Sequence, residues 1–228
     1  MPSPGSLYVV ATPIGNMRDI TLRAIEILGQ VGLIISEDTR TTAGLLSKYG
    51  ILAPMESYYS PKEKSLAEKY IKRLLEGTDI ALLSENGTPC VSDPGFILIS
   101  RAYEEGIKVV PIPGPSALTS ALAICGFPID EVFFAGFLPR KKGARKKYIE
   151  NHINSGYAFV FYESKYRIND SLKYIADFAP DLPIALMREM TKKFEEVIRG
   201  PAREVCEIVN SRPGIKGEFT IVCSPSDK

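Results

Sequence analysis

Short apolar runs rich in β-branched residues alternate with amphipathic stretches through the first half of the chain, and this alternation restricts the fold most. Residues 7–11, 33–36, 54–57, 79–84 and 109–111 have the length and composition of strands. Four helical patterns lie between them. Thr21 is placed to N-cap a helix running to Val31, and a second begins at Thr39 or Thr41 and ends near Gly50, a suitable C′ glycine. Residues 61–75 and 96–106 supply the other two. Near-continuous apolar strands separated by helices belong to an α/β layer structure with a mostly parallel sheet. Pro111-Ile-Pro-Gly-Pro-Ser116 breaks the pattern, and a helix over 116–125 should follow. We place the domain boundary there, with an N-terminal α/β domain over 1–114 and a C-terminal α/β domain over 115–228. In the second half, 131–135, 158–162, 184–188, 195–199 and 219–223 read as strands, with helices near 144–154, 168–178 and 201–210. Strands 184–188 and 195–199 have no helix between them, so they predict an antiparallel pair and a mixed sheet.

The remaining composition acts mostly by exclusion. A chain of 228 residues with 45% hydrophobic and 24% charged side chains can bury a sizeable core. Its longest apolar runs, such as 80–83 and 157–162, fall far short of the roughly 20 residues that span a bilayer. No basic cluster leads into an apolar stretch at the N-terminus, so no secretory signal is expected and the cytoplasm is the default compartment. Cys90, Cys125, Cys206 and Cys223 lie far apart without a C-x-x-C pair, and His152 is the only histidine. Zinc sites and Cys-His or Ser-His catalysis are therefore disfavoured, and the cysteines read as reduced thiols. Neither G-x-G-x-x-G nor G-x-x-x-x-G-K-[ST] occurs, so a nucleotide-like ligand would have to be held another way.

Three glycine- and proline-rich loops each follow a predicted strand: Ala11-Thr-Pro-Ile-Gly-Asn16, Ser84-Glu-Asn-Gly-Thr-Pro89 and Pro113-Gly-Pro-Ser116. In an open parallel sheet such loops converge on one crevice at the carboxyl ends of the strands, where ligands bind. Glycine permits close backbone approach and proline pre-sets the turn, so a cleft walled by backbone results. Each loop alone is also an ordinary strand-to-helix turn. Glu37-Asp-Thr-Arg40 follows the second strand and brings two carboxylates and a guanidinium to the same edge. They could orient a hydroxyl nucleophile, or Asp38 and Thr39 could simply cap the next helix. The run Pro139-Arg-Lys-Lys-Gly-Ala-Arg-Lys-Lys147 concentrates positive charge in a chain of formal net charge only +1. Such clusters bind phosphate backbones, and the nearby Phe133, Phe134 and Phe137 offer stacking surface for an unpaired base. Charge runs are also commonly solvated helix faces. Thr191-Lys-Lys193 is a weaker second patch.

Leu7-Tyr-Val-Val-Ala-Thr-Pro-Ile-Gly-Asn16, Glu37-Asp-Thr-Arg40, Gly87-Thr-Pro89 with Ser92-Asp-Pro-Gly95, Pro113-Gly-Pro-Ser-Ala-Leu118 and Gly136-Phe-Leu-Pro-Arg140 together resemble the tetrapyrrole-methylase-type (class III) methyltransferases. Arg188-Glu-Met-Thr-Lys192 and Gly217-Glu-Phe-Thr220 are similar to that family's second domain. The resemblance is to the branch acting on small-subunit ribosomal RNA. It implies S-adenosylmethionine as cofactor, 2′-O-methylation of a cytidine ribose, ribosomal RNA or the small ribosomal subunit as partner, and a homodimer. By the same resemblance the cofactor lies between two domains. Its contacts would be Thr12, Pro13, Gly87, Thr88, Pro89, Ser92, Ser116, Ala117, Phe161, Tyr162 and Gly217. Asp38, then Glu189, are the candidate proton acceptors. Arg40 and Arg188 would position phosphate or ribose, and Arg140, Lys141, Lys142, Arg145, Lys146 and Lys147 would dock RNA. Two departures stand out: Ser84-Glu-Asn-Gly replaces the family's usual Ser-Asp-Ala-Gly, moving the Glu85 carboxylate out by a methylene, and the chain ends at Lys228 where longer members continue. A precorrin-type C-methyltransferase and a non-catalytic RNA- or nucleotide-binding module are the alternatives.

Overall fold

A computed structural model describes residues 3–212 and 214–224, and the chain divides into two compact units between Ser116 and Ala117. The first unit runs β1 (Leu7–Val10), α1 (Leu22–Gln30), β2 (Leu33–Ser36), α2 (Thr39–Lys48), β3 (Met55–Ser57), α3 (Glu63–Leu75), β4 (Ile80–Leu83), α4 (Phe96–Glu104) and β5 (Val109–Ile112). All its strands pair in parallel, in the order β3-β2-β4-β1-β5. Alternate strand residues enter two cores. Leu7, Leu33, Ile35, Ile80 and Leu82 pack against Tyr70, Leu74, Leu98 and Ala102 of α3 and α4. Val10, Ile34, Ala81 and Leu83 pack against Ala24, Leu28, Leu45 and Leu46 of α1 and α2. Burial on both faces explains why these strands read as unbroken apolar runs instead of alternating ones. Local signals set the helix ends. The Thr21 hydroxyl accepts from the Ala24 N–H at 3.1 Å, and Gly50 adopts φ +67° after α2.

The connections out of β1 and β4 leave these neighbouring central strands toward opposite edges of the sheet. Their carboxyl ends therefore flank the topological switch point, where this architecture opens a crevice.

The second unit comprises α5 (Ala117–Ile124), β6 (Val132–Phe137), α6 (Lys142–Asn154), β7 (Ala158–Ser164), α7 (Ile168–Phe178), β8 (Pro183–Arg188), β9 (Glu196–Pro201), α8 (Ala202–Asn210) and β10 (Glu218–Cys223). Its strands order β6-β7-β10-β8-β9, with β6 parallel to β7 and every other pair antiparallel, including the expected β8–β9 pair. One sheet face carries Phe159, Phe161, Leu186, Phe219 and Ile221 into a core closed by Ile149, Leu172, Ile175 and Val205 of the helices.

Candidate active site

The three glycine- and proline-rich loops do meet. The Thr12 N–H donates to the Gly87 carbonyl at 2.8 Å and the Gly87 N–H returns a bond to the Thr12 carbonyl at 3.0 Å, an isolated antiparallel bridge joining the loops after β1 and β4. The Thr88 hydroxyl reaches the Pro115 carbonyl at 3.3 Å and so ties in the loop after β5. Gly87 sits at φ +85°, and a Cβ there would meet Ile14 Cγ2 at 3.3 Å and the Pro115 carbonyl at 3.7 Å. Gly114 is confined in the same way, since its Cβ would lie 3.1 Å from that of Ala11. The result is a wall of tightly apposed backbone at the switch point, a surface a flat, polar-edged ligand can approach closely. Thr12 is a seam residue: it is 2% exposed, and its hydroxyl donates toward the Ser84 carbonyl at 3.2 Å. Pro13, Gly87 and Pro89 are buried within the wall, Thr88 and Ser116 are half-buried, Ser92 is exposed, and Ala117 begins α5.

The chain after Thr88 is held in an unusual conformation. Cys90 and Ser92 take φ +68° and +70°, and Gly95 takes +142°. Glu63 of α3 pins the end of this loop, accepting from the Gly95 N–H at 2.9 Å and the Tyr58 hydroxyl at 3.0 Å. Asp93 is consequently half-buried, and desolvation together with the nearby Glu37 and Glu85 carboxylates pushes its carboxyl up to about 6. A carboxyl titrating there is matched to proton transfer near neutral pH. The Cys90 thiol is pushed up to about 11 by burial and by the Glu63 and Asp93 charges, so it is not a thiolate nucleophile.

The two carboxylates expected from the sequence to accept the proton are both held in hydrogen bonds. Asp38 is the N-cap of α2: it accepts from the Arg40 N–H at 2.8 Å, and that bond, reinforced by the Arg40 side chain, holds its carboxyl below the usual range. Arg40 itself extends into solvent, its side chain 92% exposed. Glu189 lies after β8 at φ +52°. Burial would raise its carboxyl, but the Glu218 N–H at 2.9 Å and Lys192 Nζ at 3.1 Å outweigh that and hold it below its ordinary value. Both are committed acceptors of structural bonds and weak bases at neutral pH. Arg188 closes the same corner, donating from Nε to the Lys216 carbonyl at 2.7 Å. Gly217, at φ +127°, is required by packing, because a Cβ would stand 2.7 Å from Glu189 Cγ.

Two sequence assignments need correction. Phe161 is 0% exposed and stacks on Phe159 with ring centroids 5.7 Å apart, so its side chain belongs to the helix-covered core and is closed to a ligand. Its neighbour Tyr162 faces the other way and is half-buried. Arg145 is 1% exposed, lies over the Tyr174 ring, and pairs with Asp170 at 3.3 Å. It anchors α6 to α7 and offers no guanidinium to RNA. Arg140, Lys141, Lys142, Lys146 and Lys147 are exposed. Asp93 is the residue that sequence reasoning passed over: it was visible inside Ser92-Asp-Pro-Gly95, but nothing local signals its burial or its acidic neighbours.

A family model described as Tetrapyrrole (Corrin/Porphyrin) Methylases matches residues 6–206. The chain belongs to this family. S-adenosylmethionine is accordingly its methyl donor, and the backbone wall around Gly87 suits such a group. The methylase is 44% identical over 219 residues to a Hydrogenobaculum protein, covering 96% of this chain and 95% of that one. It is 40% identical over 220 residues to one from Thermotoga maritima, covering 96% and 98%, and 42% identical over 224 to one from Xylella fastidiosa, covering 97% and 82%. All three relatives are named ribosomal RNA small subunit methyltransferase I. Among solved structures, a cobalt precorrin-4 methyltransferase of cobalamin biosynthesis superposes with a TM-score of 0.71 at 15% identity, covering 96% of this chain and 94% of its own. A conserved hypothetical protein from Aeropyrum pernix K1 gives 0.75 at 14%, covering 99% and 86%. At those identities the structural likeness speaks for the fold alone. Among the described residues no helix of the methylase is long and apolar enough to cross a membrane.

Proposed function

We propose that this methylase transfers a methyl group to the ribose 2′-hydroxyl of a cytidine in small-subunit ribosomal RNA. The observation that carries the reading is identity of about 40% over nearly the whole chain to relatives named for methylation of that RNA. The exposed basic turn at the start of α6 is consistent with a phosphate-bearing substrate. S-adenosylmethionine, when bound, supplies a methyl group on a good leaving group, so the protein's task is alignment of the nucleophile and removal of its proton. The Thr12–Gly87 seam, Thr88 and Gly114 form the wall against which the cofactor rests. Asp93, adjoining that wall and titrating near neutrality, accepts the ribose proton, a role for which Asp38 and Glu189 are less suited. Arg40, in the first turn of α2, pairs only loosely with Asp38 at 3.5 Å and is exposed enough to meet a substrate phosphate. A homodimer is consistent with the exposed Phe96 and Tyr103 on α4, and sedimentation of the purified protein tests it.

The deciding experiment incubates the protein with labelled S-adenosylmethionine and small ribosomal subunits, then maps the modified nucleotide by mass. A 2′-O-methylcytidine is the expected product. A methylated base, or label transferred only to a tetrapyrrole, would refute the reading.

A further inference from the structure

The mixed sheet of the second unit ends in an aromatic step beside the basic turn. Between Phe134 and Phe137 the pairing of β6 with β7 shifts register, with Gly136 at φ +59°, and pairing resumes with Phe137 opposite Tyr162. Since Phe161 enters the core closed by α6, α7 and α8, Tyr162 faces the opposite side of the sheet, where α5 packs on β10, and Phe137 follows it. The Phe137 ring stands edge-on to Tyr162 with centroids 5.6 Å apart, and Phe134 meets the same tyrosine ring at 5.0 Å. Phe134 and Tyr162 are half-buried, whereas Phe137 is 56% exposed. An aromatic ring is thus braced from behind and left open in front.

Charge decides what could cover it. Phe137 lies four residues before Lys141, the N-cap of α6, within about 14 Å along the chain. Arg140, Lys141, Lys142, Lys146 and Lys147 are exposed there, and the first turn of α6 contains no acidic residue. Asp170 pairs with Lys142 at 3.2 Å and Glu150 with Lys146 at 3.9 Å, but among the described residues no carboxylate pairs with Arg140, Lys141 or Lys147, which leaves an excess of positive charge at the positive end of the helix dipole that an anion would relieve. An apolar protein partner would not relieve it, while a nucleic acid strand brings phosphates and flat bases together. The same end of the sheet also carries Arg188, since β8 finishes there and pairs with Phe219 of β10, next to Gly217.

We propose that Phe137, braced by Tyr162 and Phe134, is a stacking platform for an unpaired base of the RNA strand whose phosphates meet the cations at the start of α6. The proposal rests on the RNA reading above and adds where a base is held. Stacking of this kind is tolerant of base identity and contributes affinity that salt does not screen.

The test uses the full chain and a short single-stranded RNA carrying 2-aminopurine, whose fluorescence is quenched by stacking. Phe137→Ala should weaken binding roughly 5- to 100-fold and abolish the quenching. The salt dependence should stay at the parent slope, because no phosphate contact is lost. Phe137→Leu, which keeps apolar volume and guards against a folding defect, should behave like Phe137→Ala, and Phe137→Tyr like the parent. S-adenosylmethionine affinity by calorimetry should be unchanged in all three. Parent-like RNA binding by folded Phe137→Leu overturns the proposal. A loss of cofactor affinity with RNA binding intact also overturns it, because the ring would then serve the adenine. Combined Arg140→Ala, Lys141→Ala and Lys147→Ala separates the two levels. If that variant keeps the parent salt slope, the RNA surface itself is misplaced; if it flattens the slope while Phe137→Leu binds normally, only the platform fails.

Discussion

Replacing Gly87 by alanine tests whether the seam between the loops after β1 and β4 is a ligand wall or only a turn, and Gly50→Ala supplies the control. Both glycines have positive φ, +85° and +67°. An alanine in this region costs about 1–2 kcal/mol in the folded state, offset by about 0.4–1 kcal/mol of lost freedom in the unfolded chain. At Gly50 nothing lies within 4 Å of the added methyl, so strain is the whole effect. At Gly87 the methyl also presses on Ile14 Cγ2 at 3.3 Å, and Ile14 is only 5% exposed with little room to withdraw. Overpacking there adds roughly 1 kcal/mol. For a chain of this size each kcal/mol moves Tm by about 2–4 °C. Gly50→Ala should therefore melt a few degrees lower at most, and Gly87→Ala a few degrees below that, both folded at 25 °C. Only Gly87→Ala should lose cofactor: displacing the wall by a few tenths of an ångström at a backbone-lined contact should raise the Kd for S-adenosylmethionine at least about tenfold, a loss near 1.4 kcal/mol. Differential scanning fluorimetry and calorimetry at 25 °C read both quantities. A folded Gly87→Ala protein with parent-like cofactor affinity, or an equal loss in Gly50→Ala, would refute the assignment of the wall.

Further outcomes follow from the carboxylates and the basic helix. Asp93 is raised from its ordinary value to about 6, so the folded protein keeps a proton that the unfolded chain releases near pH 4. Its contribution to stability therefore falls as pH rises from about 4 to about 6 and stays low above that. Asp93→Asn should melt higher than the parent at about pH 7.5, lose that advantage near pH 4, and be deficient in methyl transfer; a constant difference across pH sinks the electrostatic account. Asp38→Asn preserves an N-cap acceptor, so it should retain both fold and turnover, whereas a loss of kcat with unchanged melting would restore Asp38 as the base. Arg145→Ala should lower stability by roughly 1–3 kcal/mol through lost packing on Tyr174 and a broken pair with Asp170. Lys147→Ala should leave melting unchanged and reduce the salt slope of RNA binding by about 0.7–0.9.

What was legible in the sequence was whatever depends on neighbours along the chain. Apolar runs, the Thr21 cap, the glycine after α2 and the helix-free link between β8 and β9 gave the two α/β layers and the antiparallel pair, because strand period, capping and turn chemistry are local. The spacing of the basic run was readable too. Arg145 and Ile149 stand four residues apart, as the inward face of one helix must, but an arginine on that face is not marked as buried until Asp170 and Tyr174 of α7 arrive. Residues 158–162 are apolar throughout, so nothing in them told Phe161 from Tyr162; the helices covering one face of the sheet did. Folding likewise decided the acid–base reading. Asp38 and Glu189 are drawn into structural hydrogen bonds, one local and one to Glu218 on another strand, while Asp93 gains burial and the charges of Glu37 and Glu85 from separate loops. Proton affinity depends on solvent exclusion and on charges brought near by the whole fold. The sequence by itself thus determined the architecture and which loops follow the parallel strands, and the tertiary structure decided which carboxylate there is buried among other charges and which cations and rings remain exposed, because burial and proximity depend on segments far apart in the chain.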